Sequence, residues 1–598
     1  MKLIYHGAGL ITNFPVFYKG WAFFQTFLSY PGGPVEYLSA FLSQFFYYSW
    51  AGALVVTLQA WLLSICMDYL LKAAKLARIR LICYLLPVLL LVIYTRYAYH
   101  FPTTMALLIA LLFACLYLKV TLSRTMFFSC LGIFLFLSVI LYYLAGGTFL
   151  LFAIVCAIYE LIFRFRWKIA LFYLLSAAAV PYIIGLIIFR VSILDAFCNS
   201  LPFSWKILYY EARKREVTIV YILYLLPPLT LLVFGLLHIL WEKIYAVRER
   251  SSRKQRKKSK TISWYKHSPK LKWAVESLLL LAIAGSIVFF SRKEDLRIRF
   301  KVDYYAYHKM WPELLMSARH NPKDPFVAHA VNRALYHLGR LGYDMFSWPQ
   351  NSDHLILSDK KYKWMHWQVF DVFIDLGVVN MAENSLTECL EGLGSRPMVL
   401  RKLALVNMVK GNLGSAKIYL GALSKTLFHA EWANNYLDRL QNDPDLAGDK
   451  YIQHLRSLCL DKDVPLYDLY KEKTLLWLLE RNSQNHMAFE YLMAWYMLNK
   501  NLGKLVQNLE RLQDFGYREL PKHYEEAAVI YIYVKGQLLN LNGYTLSPQK
   551  RRQFEDFSGI LRDDYGGNKQ AASEELSKKY RNTYFYYCMY TPYPLRLE

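Results

Sequence analysis

No short catalytic signature occurs in this chain. It has no G-x-x-x-x-G-K-[ST] loop, no G-x-S-x-G, no H-E-x-x-H and no G-x-G-x-x-G. Those absences remove the usual phosphate-cradling, serine-nucleophile, zinc-protease and dinucleotide chemistries. There is no C-x-x-C and no Cys/His cluster among the nine cysteines, so a zinc site is not expected. Cys66, Cys83, Cys115, Cys130 and Cys156 fall in apolar runs, where the side chain acts as a small hydrophobe. Cys198, Cys389, Cys459 and Cys588 are scattered, which leaves one or two disulfides open. Acidic residues are scarce too: 45 against 70 Lys and Arg, a net charge of +25. Such an excess suits nucleic acid. Here, however, much of it sits in short loops beside apolar runs, where it sets topology and meets anionic lipid. No nucleic-acid partner is expected. Residues 1–47 lack a compact apolar core and a small-residue cleavage site, so they do not read as a signal peptide.

What is present in quantity is apolar sequence. Runs near 48–70, 81–99, 103–120, 125–144, 147–163, 168–190, 217–241 and 272–291 each approach the ~17–25 residues that span a bilayer. The stretch Glu242–Lys272 carries twelve Lys and Arg against two acids. A basic loop of that kind between two spans is a cytoplasmic anchor. Lys72, Lys75, Arg78 and Arg80, then Lys119 and Arg124, then Arg164, Arg166 and Lys168 fall on the same side, whereas Tyr97–Thr104 and Ala145–Thr148 carry only His100. The agreement predicts eight spans, with residues after Ser291 outside the membrane. Eight spans put the N-terminus outside as well. A further helix ahead of Met1 is therefore expected, the alternative being irregular insertion of Leu3–Tyr30.

Beyond Ser291 the sequence reads as helical pairs. Lys410-Gly411-Asn412-Leu413-Gly414-Ser415-Ala416 places a turn glycine and a small packing residue five apart, Asn499–Leu505 repeats the frame, and Gly377 with Ala382 repeats it loosely. The spacing resembles tetratricopeptide repeats, which stack into a concave surface. The expected fold is all-α: an outer-face segment at 1–47, a polytopic membrane domain at 48–291, a periplasmic TPR-like solenoid at 292–545 and a tail at 546–598. The tail ends in an aromatic stretch, Tyr584–Tyr593, suited to docking on the repeats or the membrane.

Candidate chemistry rests on charge in costly places. The turn Pro31-Gly32-Gly33-Pro34-Val35-Glu36-Tyr37 sets two glycines between two prolines, a constrained path ending at the first acid of the chain. Glu36 is a candidate general base or metal-orienting group, against the plain reading of a helix-start acid favoured by the macrodipole. Asp195 is a candidate second carboxylate, or simply an exposed loop acid. Arg96, His100 and Arg190 place positive charge against the topology bias, where arginine suits phosphate oxygens; snorkelling to headgroups is the plainer account. The Arg213-Lys214-Arg215 cluster is weaker, flanked as it is by Glu211 and Glu216. Glu160 and His238 lie in apolar spans, near their ends, where interfacial placement explains them most simply.

Two resemblances follow from these residues. Tyr30-Pro31-Gly32-Gly33 with Glu36-Tyr37, Gln44–Tyr48, and Val331–Leu335 with Gly339, Leu341, Met345 and Phe346 resemble a family of uncharacterised multi-pass proteins from Bacteroidota. That resemblance implies no activity, and it implies the missing first helix. The layout also resembles GT-C-type glycosyltransferases and oligosaccharyltransferases. The resemblance implies an outer-loop acid as base, outer-face Arg and His holding a polyprenyl-(pyro)phosphate-linked sugar donor, and a soluble domain that meets a protein or glycan acceptor. Glu36, Asp195, Arg96, His100 and Arg190 are the positions for those roles, at the outer face of a bacterial inner membrane. The first outer loop lacks a D-x-D or E-x-D pair, which leaves open whether a divalent cation is needed. The competing expectation is a membrane-anchored scaffold without catalysis. A transporter comes third, with no inverted repeat to support it.

Overall fold

The computed structural model describes residues 2–11, 14–76, 82–121, 127–202, 214–252, 269–357, 367–460, 471–536, 539, 541 and 543–597. Arg78, Arg80, Arg124, Arg213 and residues 253–268 of the basic run lie outside the described residues, and Lys214, Arg215 and the rest of the run are described by backbone alone. Among the described residues the chain is helical with no strand, so the all-α class holds. The contacts divide it into two compact units, one of residues 1–8 and 12–294, the other of 9–11 and 295–598. No disulfide joins any two cysteines among the described residues.

In the first unit, all eight apolar runs contain helix. Ser49–Ala73, Phe101–Thr121, Phe127–Ile162, Trp167–Ile188 and Thr218–Trp241 are long and apolar enough to cross a membrane, while Ile82–Thr95 and Ser277–Ser291 are shorter. Phe127–Ile162 holds two of the expected spans, divided by a tight turn at Gly146–Thr148. The helix Ser49–Ala73 shows why this unit suits lipid. Val56, Leu63, Met67 and Leu70 are buried on one face, yet Leu54, Leu58, Trp61 and Ile65 form an equally apolar exposed stripe on another. A helix that is apolar all round calls for an apolar surround. Inside, Gln59 Nε2 donates to Thr104 Oγ1 at 2.9 Å and ties two of these helices together. These features are those of a multi-pass membrane protein.

One end of this unit is closed by a buried carboxylate. Glu160 is fully buried. Its Oε1 accepts from Tyr117 Oη at 2.8 Å and Arg164 Nη1 at 3.2 Å, and Arg166 Nη1 lies 4.0 Å from Oε2. Arg164 Nη2 also donates to the Thr121 carbonyl at 2.7 Å, capping the end of Phe101–Thr121. Tyr173 Oη shares a hydrogen bond with Tyr117 (2.7 Å), and its ring stacks on Phe134 with centroids 3.7 Å apart. Glu160 is thus an interfacial staple, as its place near a span end suggests.

The second unit repeats one connection. Lys309, Gly339, Gly377, Gly411 and Lys500 all have positive φ, and helices begin two residues later at Trp311, Leu341, Val379, Leu413 and Leu502. In each, the next residue's N–H reaches back five residues, as in Asn412 N to Asn407 O (2.9 Å) and Asn501 N to Tyr496 O (2.8 Å). This closure satisfies the last carbonyls of one helix while reversing the chain into the next. Ala382 and Ala416, five residues past two of these turns, are fully buried where neighbouring helices pack.

A buried ionic network ties the early pairs together. Arg333 donates to Asp375 Oδ2 from Nε (2.8 Å) and to Asp371 Oδ2 from Nη1 (3.2 Å), and Lys402 pairs with Asp371. His337 lies 3.4 Å from Asp375 and stacks on Trp311 at 4.4 Å. The C-terminal segment packs on the same unit. Glu526 accepts from Lys550 Nζ (2.9 Å) and Tyr584 N (2.8 Å) and bonds His523 Nδ1 (2.9 Å). Tyr584 and Tyr587 donate to the carbonyls of Met497 and Leu498 (3.0 and 2.9 Å), and Arg596 bridges Asn501.

Two predictions follow from these pairings. Replacing Arg164 by Met strands a buried carboxylate and costs about 3 kcal/mol. Thermal unfolding of the detergent-solubilised full chain should therefore show a large drop for Arg164→Met, most of it regained in Arg164→Met/Glu160→Gln. Asp375 supplies the second. Burial pushes its carboxyl up, but the Arg333 charge and His337 outweigh that and hold it at about 2. A depressed carboxylate stabilises the fold above its ordinary value of 3.8, and the contribution is lost as pH falls through about 2. Stability of the second unit, followed by tryptophan fluorescence on the full chain, should decline from about pH 4 to about pH 2. Asp375→Asn should start lower and show a shallower decline in that window.

Candidate functional site

Three connections of the membrane unit meet at the end opposite Glu160: the turn Pro31–Gly33, the turn Gly146–Thr148, and the short helix Ile193–Cys198 with Asn199 and Ser200 after it. Missing side chains let them touch. Gly32 has φ +87°, and a Cβ there would lie 3.0 Å from both Asn199 Nδ2 and Ser200 Oγ. A Cβ on Gly33 would overlap the Phe27 carbonyl, and one on Gly147 the Phe197 carbonyl. The freed space is filled by hydrogen bonds. Gly32 N donates to Tyr143 O (2.9 Å), Gly147 N to Asn199 O (2.9 Å) and Asn199 Nδ2 to Pro31 O (2.8 Å). Tyr142 Oη donates to Ala196 O (2.9 Å).

From this junction the helix Gly33–Gln44 runs against Phe101–Thr121 and Phe127–Ala145, burying Val35, Ser39, Ala40 and Ser43. Gly32 is its N-cap, Pro34 sits in its first turn, and Glu36 follows where the dipole favours a carboxylate. Glu36 is half-buried and accepts from Tyr30 Oη at 2.7 Å on Oε2. Burial, and then the adjacent Glu36 charge, push the Tyr30 phenol far above its ordinary value, so it remains a donor. Oε1 has no hydrogen bond among the described residues and is the atom left to take a proton.

The other expected residues fall at two places. Asp195 lies in the first turn of Ile193–Cys198, exposed, with its carboxylate accepting from Ser192 Oγ at 2.8 Å and its carbonyl from Asn199 N at 3.1 Å. No hydrogen bond or ion pair among the described residues joins it to Glu36. Arg190 is exposed with φ +54°, next to Phe189, whose ring stacks on Tyr143 of the junction with centroids 6.0 Å apart. Arg96 and His100 lie instead at the far end of Gly33–Gln44. There Ser43 Oγ bonds Tyr99 Oη, and Phe14 packs on Tyr99 at 4.8 Å. Ser43 is seven residues from Glu36, about 10 Å along the helix at ~1.5 Å per residue. Arg96 Nε is buried without a hydrogen-bond partner among the described residues. Burial holds His100 down at about 4, so it is neutral near pH 7. Among the described residues no three or more His, Cys, Asp or Glu side chains are grouped to hold a metal ion.

Sequence reasoning passed over Asn199 and the Gly146–Gly147 pair. The signal was present in the paired glycines directly after an apolar helix, which mark close backbone approach, but nothing in sequence says which chain approaches. Gly33→Ala and Gly147→Ala should be the most damaging single changes here, each costing more than about 2 kcal/mol because backbone, not a flexible side chain, must move. Asn199→Ala should cost about 1 kcal/mol. Thermal unfolding of the full chain, with hydrogen exchange over 28–36 and 143–150, should show both effects localised there.

No curated protein and no solved structure matches the chain. A family model matches residues 12–591, nearly its whole length, and the protein belongs to the family of unknown function DUF6057.

Proposed function

We propose that this protein is a membrane transferase that moves a sugar or glycan from a lipid-(pyro)phosphate donor to an acceptor hydroxyl at the membrane face carrying the Gly32 junction. The observation that supports this best is Glu36. It is a half-buried carboxylate fixed on one oxygen by Tyr30 and free on the other, at a junction with little freedom to move. In the proposed step Glu36 Oε1 takes the acceptor's hydroxyl proton while that oxygen bonds to the anomeric carbon. The bond from the anomeric carbon to the lipid phosphate breaks, and the phosphate leaves with the electron pair. Arg96, with its buried unpartnered Nε, and Arg190 neutralise the leaving charge. His100 contributes a hydrogen bond. Asp195, bonded to Ser192 and exposed, fits acceptor positioning better than proton transfer.

On this reading the junction faces the periplasm of a Bacteroidota inner membrane. Lys72, Lys119, Arg164, Arg166 and Lys168 crowd the opposite end, in line with the positive-inside bias. The second unit is a TPR-like solenoid on the acceptor side. A scaffold without catalysis is the second reading, supported by the five matched turns of that unit, which build a regular recruitment surface.

The test is a deletion strain complemented with wild type, Glu36→Gln or Arg96→Ala, with envelope glycans and lipid-linked donor pools measured. Glu36→Gln retains an acceptor for Tyr30, so expression should be unchanged. Loss of glycan with donor accumulating in both variants is the expected result. Normal glycans in both would remove these residues from the reaction and leave the scaffold.

A further inference from the structure

The second unit holds a cleft of about 900 Å³ between its first helical pairs and its C-terminal helices. One wall is the connections at 319–323 and 346–350; the other is the ends of the helices Lys569–Tyr580 and Tyr584–Tyr590 with the residues between them. The chemistry of the lining is one-sided. Among the described residues, Arg319, Lys323 and Arg581 line it, exposed and in no ion pair, and no Asp or Glu lines it. Lys578 also lines it but lies 3.2 Å from Glu574. Beside these cations stand Trp348, Tyr586 and Tyr590. Phe346 closes the floor, packed on Tyr584 and Tyr587 with centroids 5.1 and 4.7 Å apart.

We infer that this cleft binds an anionic saccharide, a short run of sugar rings bearing carboxylate or phosphate. Three cations gather in one concavity with no lining acid beside them among the described residues. A bound anion balances them, and guanidinium groups take carboxylate or phosphate through paired hydrogen bonds. The aromatic faces accept the C–H side of a pyranose ring. The remaining lining is hydroxyl and amide, including Gln350, Asn582 and Thr591, which suits several sugar hydroxyls at once. The volume lies within the range of small-ligand sites. A nucleic-acid strand fits less well. Tyr586 and Tyr590 lie against each other at 4.5 Å, so they offer no open pair of faces between which bases would stack. The inference does not depend on transfer at Glu36, since a binding-only chain would carry the same cleft.

The experiment is isothermal titration of the detergent-solubilised full chain with hexagalacturonate, with a neutral hexose oligomer of equal length, and with a single-stranded oligonucleotide of matched charge. Hexagalacturonate should bind, the neutral oligomer at least about tenfold more weakly, and the oligonucleotide no better than the acid sugar. Lys323→Glu/Arg581→Glu should abolish binding, and because both side chains are exposed the fold should be unchanged by thermal unfolding. Trp348→Ala should weaken binding about tenfold. Glu36→Gln should leave it untouched, which separates this site from the transfer reaction. Absence of acid-sugar binding, equal binding of the neutral oligomer, tighter binding of the oligonucleotide, or unchanged binding by the charge-reversed chain would each overturn the inference.

Discussion

Backbone contact between Gly32, Gly147 and the segment 197–200 is the constraint on which the membrane unit is built. Hydrogen bonds from chain to chain need the backbones within about 3 Å donor to acceptor; a Cβ at Gly147 would overlap the Phe197 carbonyl, and one at Gly32 would crowd Asn199 and Ser200. Once the approach is made, the helix Gly33–Gln44 has a fixed start. Its first turn then carries Glu36 to one place, and its last turn carries Ser43 to Tyr99. The position of every candidate group at this end is thus set by where side chains are absent. The opposite end works the other way round. There a fully buried carboxylate and two buried tyrosines meet two partly exposed arginines, and the fold is held by charge that has a partner.

The second unit combines both devices. Its turns use a positive-φ residue to reverse direction in two residues, and lysine stands at two of the five positions where glycine stands at three. A left-handed lysine costs roughly 1 kcal/mol against glycine, which the closing hydrogen bonds and buried helix faces offset. Its buried charges form closed sets: Arg333 with two aspartates, Glu526 with His523, Lys550 and a backbone amide. The second set matters for shape. Glu526 lies on Lys522–Lys535, and its partner Tyr584 N starts the last long aromatic helix. The contact therefore brings the C-terminal segment back onto the early helices and forms one wall of the basic cleft.

Much of this was legible in sequence because it rests on periodicity and local chemistry. Apolar run length locates the membrane helices. The turn glycines Gly377 and Gly411 with Ala382 and Ala416 locate the repeat, since turn and packing residue are near in sequence. The run 127–162 divides at Gly146-Gly147, as the two separate apolar stretches suggested. Three things were not legible, each for the same reason. That Asn199 meets Pro31, that Arg333 meets Asp371 and Asp375, and that Tyr584 meets Glu526 are pairings across 168, 38 and 42, and 58 residues. No local pattern encodes which distant partner is chosen. The neutrality of His100 was hidden for a related reason. Its charge depends on burial made by other segments.

The net charge of +25 can be sorted by what each cation faces. Arg164, Arg166, Arg333, Lys402 and Lys550 face carboxylates and belong to the architecture. Loop lysines and arginines beside the spans fit the positive-inside bias of the proposed topology. Neither account reaches Arg96 or the cleft set Arg319, Lys323 and Arg581. A buried guanidinium nitrogen without a partner costs about 1–3 kcal/mol, and Arg96 bears that cost at the same end of the unit as Glu36. Cations gathered in a cleft with no lining acid raise its potential with no folding benefit. Both places are therefore where an anion would restore the balance. They lie in different units, so loss of one anion site should not imply loss of the other, and that independence lets the transfer and binding readings be judged apart.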